Sequence, residues 1–100
     1  MVIYLAKTST AFPEIEMRRC EEYAGAHGWA ISLTVLDDEL GRSPDRRSRF
    51  LAAVDRIKSG EASAVLVPSK ATISPLDGEF NEASHMVEKA GGFIQVAPRR

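Results

Sequence analysis

At 100 residues, with 44% hydrophobic and 27% charged side chains, the chain has the makeup of one ordinary globular domain that folds without metal or disulfide. Thirteen basic against fourteen acidic residues leave a net charge of −1, which speaks against tight autonomous binding to DNA, where affinity comes mostly from Lys and Arg on phosphates. No apolar run approaches the roughly 20 residues of a membrane helix, the single cysteine cannot form an internal disulfide, and the start Met1-Val2-Ile3 lacks a basic leader, so the expectation is a cytoplasmic protein without membrane association.

In chain order, Ile3-Tyr4-Leu5-Ala6 reads as a strand. Residues 13 to 27 place Met17, Cys20 and Ala24 at helical spacing, with Pro13 suited to the first helical position and Gly28 beyond the end. A second strand is expected over Ala30 to Leu36, and a second helix carries Phe50, Val54 and Ile57 before Ser59-Gly60 stops it. Ala64-Val65-Leu66-Val67 follows as a third strand. Leu76, Phe80, Ala83, Val87 and Ala90 then repeat at four-three-four-three and end at Gly91-Gly92, before the strand Phe93-Ile94-Gln95-Val96. Three of the four strands read as buried on both faces. The order βαβαβαβ predicts an α/β fold: three layers, αβα, around a doubly wound, mainly parallel sheet, in one domain over residues 1–100.

In such sheets function gathers at the carboxyl ends of the strands, here Lys7 to Thr10, Asp37 to Pro44, Pro68 to Pro75, and Ala97 onwards. Thr8-Ser9-Thr10 admits three readings: a nucleophile, a phosphate cradle, or a cap for the helix that follows. The run lacks the glycine that lets backbone approach a phosphate, and no aromatic pair marks a flavin site, so no cofactor is expected. Arg42, Arg46, Arg47 and Arg49, with Arg99 and Arg100, form either a basic patch or solvated surface. Asp37-Asp38-Glu39 resembles a Mg²⁺-holding acidic cluster, but Val67-Pro68-Ser69 supplies no acid after the third strand, so the triplet reads as a solvated loop. His27 and His85 stand on separate helices without ligand spacing and read as surface residues, and Cys20 belongs to an apolar stripe. No metal site is expected.

These segments together resemble the catalytic domain of the serine recombinases, the resolvase and invertase family. That family's first strand reads Tyr-Ala-Arg-Val-Ser-Thr, and the similar run here is Leu5-Ala6-Lys7-Thr8-Ser9-Thr10. The likeness continues through Cys20, Tyr23-Ala24 and Gly28-Trp29, then Asp37-Asp38-Glu39, then Asp45-Arg46-Arg47-Ser48-Arg49-Phe50, and Ser59-Gly60 before the third strand. It implies Ser9 as nucleophile with Lys7 where an Arg contacts the scissile phosphate. Aligning Tyr4 instead implies Thr8 as nucleophile and Ala6 at the Arg position. The second motif implies Arg46 by its Asp-Arg pair or Arg47 by its spacing to Phe50.

The departures shape the expected activity. Active members carry Asp, Arg and Arg after the third strand, where this chain has Ala71, Thr72 and Pro75. Transfer of a phosphodiester to a hydroxyl builds charge that guanidiniums offset, and lysine does not reproduce the bidentate clamp of arginine. The resemblance therefore implies a resolvase-like homologue of site-specific recombination enzymes whose strand-cutting activity is impaired or lost. DNA would be bound weakly and not by this domain alone, and a homo-oligomer or another protein partner is expected. Two further readings stand beside it: a noncatalytic protein-interaction module, and a phosphate- or nucleotide-binding flavodoxin-like domain. Whether the chain is a piece of a longer recombinase or a stand-alone remnant stays open at this point.

Overall fold

The computed structural model describes residues 1–6, 13–38 and 42–97. Four strands form one parallel sheet: β1 (Val2–Ala6), β2 (Leu33–Asp37), β3 (Ala64–Val67) and β4 (Phe93–Val96), in spatial order β2-β1-β3-β4. The connecting helices are α1 (Glu14–Ala26), α2 (Ser48–Lys58), the single turn α3 (Lys70–Ile73) and α4 (Asp77–Lys89), and a 3₁₀ turn, Pro44–Arg46, precedes α2.

Alternation along β1 and β3 divides the core in two. Ile3, Leu5, Ala64 and Leu66 meet Cys20 and Ala24 of α1 on one face. Val2, Tyr4, Val65 and Val67 meet Phe50, Ala53, Val54 and Ile57 of α2, and Ala83 and Val87 of α4, on the other. The chain thus winds one way from β1 to β2 and the other way from β3 to β4, which puts the reversal point between β1 and β3. The doubly wound αβα arrangement expected from the sequence is the one observed.

Burial differs from expectation at the sheet margins. Only β1 and β3 are enclosed on both faces, whereas β2 and β4 are half-buried, with Thr34 and Phe93 exposed. All four are apolar in composition, but a marginal strand has a neighbour on one side only. The second strand also begins later than Ala30. Its register runs from Val2↔Leu33 to Ala6↔Asp37, so the start of β1 fixes where the ladder can begin, and Ser32 instead donates its N–H to the Met1 carbonyl at 2.8 Å. Asp37, expected in a loop, is the last rung.

Helix ends follow local chemistry. Pro13 is the N-cap of α1 rather than its first helical residue, and among the described residues no side chain caps that end. At the other end Gly28 takes φ 70°, which lets Trp29 donate its N–H to the Ala24 carbonyl at 2.9 Å and turns the chain toward β2. The segment from Ser69 to Pro75, which carries no helical periodicity, folds into α3. There the Ser74 hydroxyl accepts the Leu76 N–H at 3.0 Å and donates to Glu79 at 2.8 Å, joining α3 to the start of α4.

Two outcomes test this packing. A Cβ on Gly92 would lie 2.6 Å from the Ser63 carbonyl oxygen and 2.8 Å from Ile57 Cγ2. Gly92→Ala is therefore expected to cost about 1–3 kcal/mol, read as a lower urea midpoint with unchanged slope. Burial pushes the Cys20 thiol up to about 11, with the Arg19 charge pulling the other way. Because that value lies above the roughly 8.5 of an exposed thiol, the contribution is complete below pH ~8.5 and is lost as pH rises through the folded value. The urea midpoint is expected to fall from pH ~8.5 towards 11, and to fall less in Cys20→Ala.

Candidate functional site

Tyr4 is the one polar side chain on a central strand that is otherwise aliphatic, and it is fully buried. Its ring packs edge-on against Phe50 of α2, with centroids 5.5 Å apart and planes at 73°. The hydroxyl cannot be left unpaired there. It donates to the Oδ2 of Asp37, the last residue of the neighbouring strand and itself fully buried. The Arg47 guanidinium lies near the same phenol and pulls its pKa down.

Arg47 occupies the N-cap position of α2, a place that carries its side chain back under the sheet rather than out along the helix. It is only 2% exposed. Its Nε donates to the Arg42 carbonyl at 2.9 Å and its Nη1 to the Thr72 carbonyl in α3 at 3.2 Å. One guanidinium thus ties Arg42, ahead of α2, to α3. A buried carboxylate and a buried guanidinium that both act on one phenol depend on each other, and loss of one partner strands the other. Nearby, Arg49 donates from Nη1 to the Leu36 carbonyl at 2.9 Å, closing the loop against β2.

The chemistry of the phenol follows from its surroundings. Burial and then the hydrogen bond to Asp37 push its pKa well above the usual tyrosine value, outweighing the opposite pull of Arg47. Tyr4 is a neutral donor at physiological pH, not a base or a nucleophile.

Two readings of these residues are corrected. Asp37 is a core residue rather than part of a solvated acidic loop, although Asp38 beside it is exposed. Arg47 is interior, not solvated surface, while Arg42, Arg46 and Arg49 are exposed. Of the two arginines that the second motif left open, Arg47 is the one brought to Tyr4 and Asp37; Arg46 ends the 3₁₀ turn and faces water. Lys7, Thr8 and Ser9 lie outside the described residues. After β3, Thr72 is buried and its hydroxyl lies 3.3 Å from that of Ser69, and Ala71 and Pro75 are exposed. His85 is exposed on α4, and His27 stacks on Trp29 at 4.6 Å with its Nδ1 2.9 Å from the Tyr23 carbonyl oxygen. Among the described residues no group of three or more His, Cys, Asp or Glu is placed to hold a metal, and no helix is long and apolar enough to cross a membrane.

The clustering of Tyr4 with Asp37 was not anticipated. Its signal is a tyrosine in an aliphatic strand and an acid at the end of the adjacent strand, two rungs further on, which a parallel register places on the same face.

No protein-family model matches the sequence, and a comparison with curated proteins finds no match. Solved structures do resemble it. The C-terminal catalytic domain of ISC1926 TnpA, an IS607-like serine recombinase, shares 19% identity with a TM-score of 0.78, over 99% of this chain and 67% of that one. The N-terminal catalytic domain of TP901-1 integrase shares 20% with a TM-score of 0.79, over 96% of this chain and 75% of that one. The first ORF in transposon ISC1904 from Sulfolobus solfataricus P2 shares 15% with a TM-score of 0.65, over 99% of this chain and 67% of that one. The fold is that of the serine recombinase catalytic domains.

Substitution of the two candidate arginines separates their roles. Arg47→Met removes a buried cation from the neighbourhood of the Tyr4–Asp37 pair and is expected to cost about 3–5 kcal/mol. Arg46→Met, at an exposed position, is expected to stay within about 0.5 kcal/mol of the parent. Tyr4→Phe, which removes the donor to Asp37, is expected to cost about 1–3 kcal/mol, all three read from urea melts at neutral pH.

Proposed function

We propose that this chain is a recombinase-like domain of the serine type in which strand cutting is impaired or absent, acting as a single unit over residues 1–100. The observation that carries the reading is the disposition of arginine at the carboxyl end of the sheet. The one motif arginine that reaches the polar cluster, Arg47, is buried and donates to the carbonyls of Arg42 and Thr72. The segment after β3 offers Ala71, Thr72 and Pro75 where the resemblance calls for Asp, Arg and Arg. A transition state with charge on its phosphoryl oxygens needs positioned cations, and each missing one commonly costs a factor on the order of 10² to 10³.

In this reading Ser9, or Thr8 in the alternative register, stands at the nucleophile position, Lys7 is a partial substitute for arginine, and DNA is bound weakly with help from other protein. A noncatalytic interaction module on the same fold is the second reading. It is favoured by exposed apolar residues at the start of two helices, Ile15 on α1 and Leu76 before α4.

Covalent trapping on a suicide DNA substrate tests the proposal, with the parent compared to Ser9→Ala and Thr8→Ala and an active recombinase cutting the same DNA in parallel. The expected result is no adduct from any of the three. An adduct from the parent that disappears in one variant would name the nucleophile and overturn the proposal.

A further inference from the structure

Arg19 belongs to none of the motifs above, and its surroundings are unusual. On α1 it forms one ridge with Ile15 and Tyr23, each four residues from the next. From that ridge its side chain reaches across to the carboxyl end of β3, where Nη2 donates to the Pro68 carbonyl at 2.5 Å. Its Nε is buried and has no hydrogen-bond partner. Among the described residues no carboxylate pairs with it.

A guanidinium cannot shed its charge to ease such a situation, because it stays protonated at any accessible pH. Holding it half-buried with an unmet donor costs free energy that a neutral glutamine bonded to the same carbonyl would not. The cost falls at a particular place. Arg19 lies at the end of β3, beside the reversal point between β1 and β3, and on the α1 face of the sheet, opposite the face that holds the Tyr4, Asp37 and Arg47 cluster. Ligands of doubly wound sheets enter at that point. The bond to Pro68 takes one hydrogen of Nη2 and Nε is enclosed, so the donors left for the oxygens of a phosphoryl group are those of Nη1 and the second hydrogen of Nη2.

We infer that Arg19 is a phosphate-binding residue at the reversal point of the sheet, recognising a phosphoryl oxyanion from the α1 face. The choice of a DNA phosphodiester as the source rests on the recombinase-like reading; recognition of the oxyanion itself does not. The residue would position a phosphate without entering the chemistry of its transfer.

The test follows the arginine Nε–Hε signals of the intact chain by ¹H–¹⁵N spectroscopy, the Arg19 signal being the one lost in Arg19→Lys. Inorganic phosphate is titrated against chloride at matched ionic strength, and a short DNA duplex is titrated separately. The expected result is a saturable shift of the Arg19 signal with phosphate and with the duplex, none with chloride, and in Arg19→Gln a salt slope of duplex binding lower by about one phosphate contact. A shift with phosphate alone upholds the anion site, assigns it to a free phosphate or nucleotide, and counts against the recombinase-like reading. Duplex binding with the Arg19 signal unmoved and the slope unchanged in Arg19→Gln overturns the inference and leaves that reading standing. A signal unmoved by both, with Arg19→Gln less stable in urea, overturns the inference by showing a strut between α1 and β3. The wild-type titration decides these cases even where a variant folds poorly.

Discussion

Burying Asp37 sets conditions on much of the carboxyl end of the sheet. A carboxylate without solvent is tolerable only where donors and a countercharge surround it, and both are supplied across the sheet rather than from its own strand. Tyr4 provides the donor because β1 and β2 run parallel in a register that puts positions 4 and 37 on one face. Arg47, at the N-cap of α2, brings a buried cation to the same phenol. Arg42, Thr72 and the α3 turn are then held in place by the remaining donors of the same guanidinium.

This arrangement separates scaffold from chemistry. The two sheet faces carry different polar elements: the interior cluster under α2 and α4, and Arg19 on the side of α1. Among the described residues, the first leaves no buried side-chain nitrogen or oxygen without a partner. The second does, since one of its donors is enclosed without a partner. Buried polar groups that are fully matched read as structure, and those left short of a partner read as function. By that criterion the chain, which has Ala71, Thr72 and Pro75 after β3, holds in Arg19 a candidate for anion recognition on the same edge.

Much of the fold was legible in the sequence because it rests on local periodicity. The four-three-four-three spacing from Leu76 to Ala90 yields α4, and β-branched runs at Ala64–Val67 and Phe93–Val96 yield β3 and β4. The site was only partly legible. Motif order pointed to the neighbourhood of Asp37 and of Arg46 and Arg47, yet charge composition suggested solvent for all of them. Burial of an acid or an arginine is decided by partners distant in sequence, here 33 residues from Asp37 to Tyr4 and 25 from Arg47 to Thr72, which no window along the chain contains.

The sequence by itself determined the class of architecture, the number and order of the principal strands and helices, and the absence of the expected Asp, Arg and Arg after the third strand, since all of these are set by residue type at short spacing. Tertiary structure alone decided which strands are central and which arginine is interior. It also decided that Asp37 closes a strand rather than opening a loop, and that Arg19 reaches the end of β3. The physical reason is common to these: burial and pairing are properties of the space between elements, and that space exists only once the crossovers have laid α1 on one face and α2 and α4 on the other.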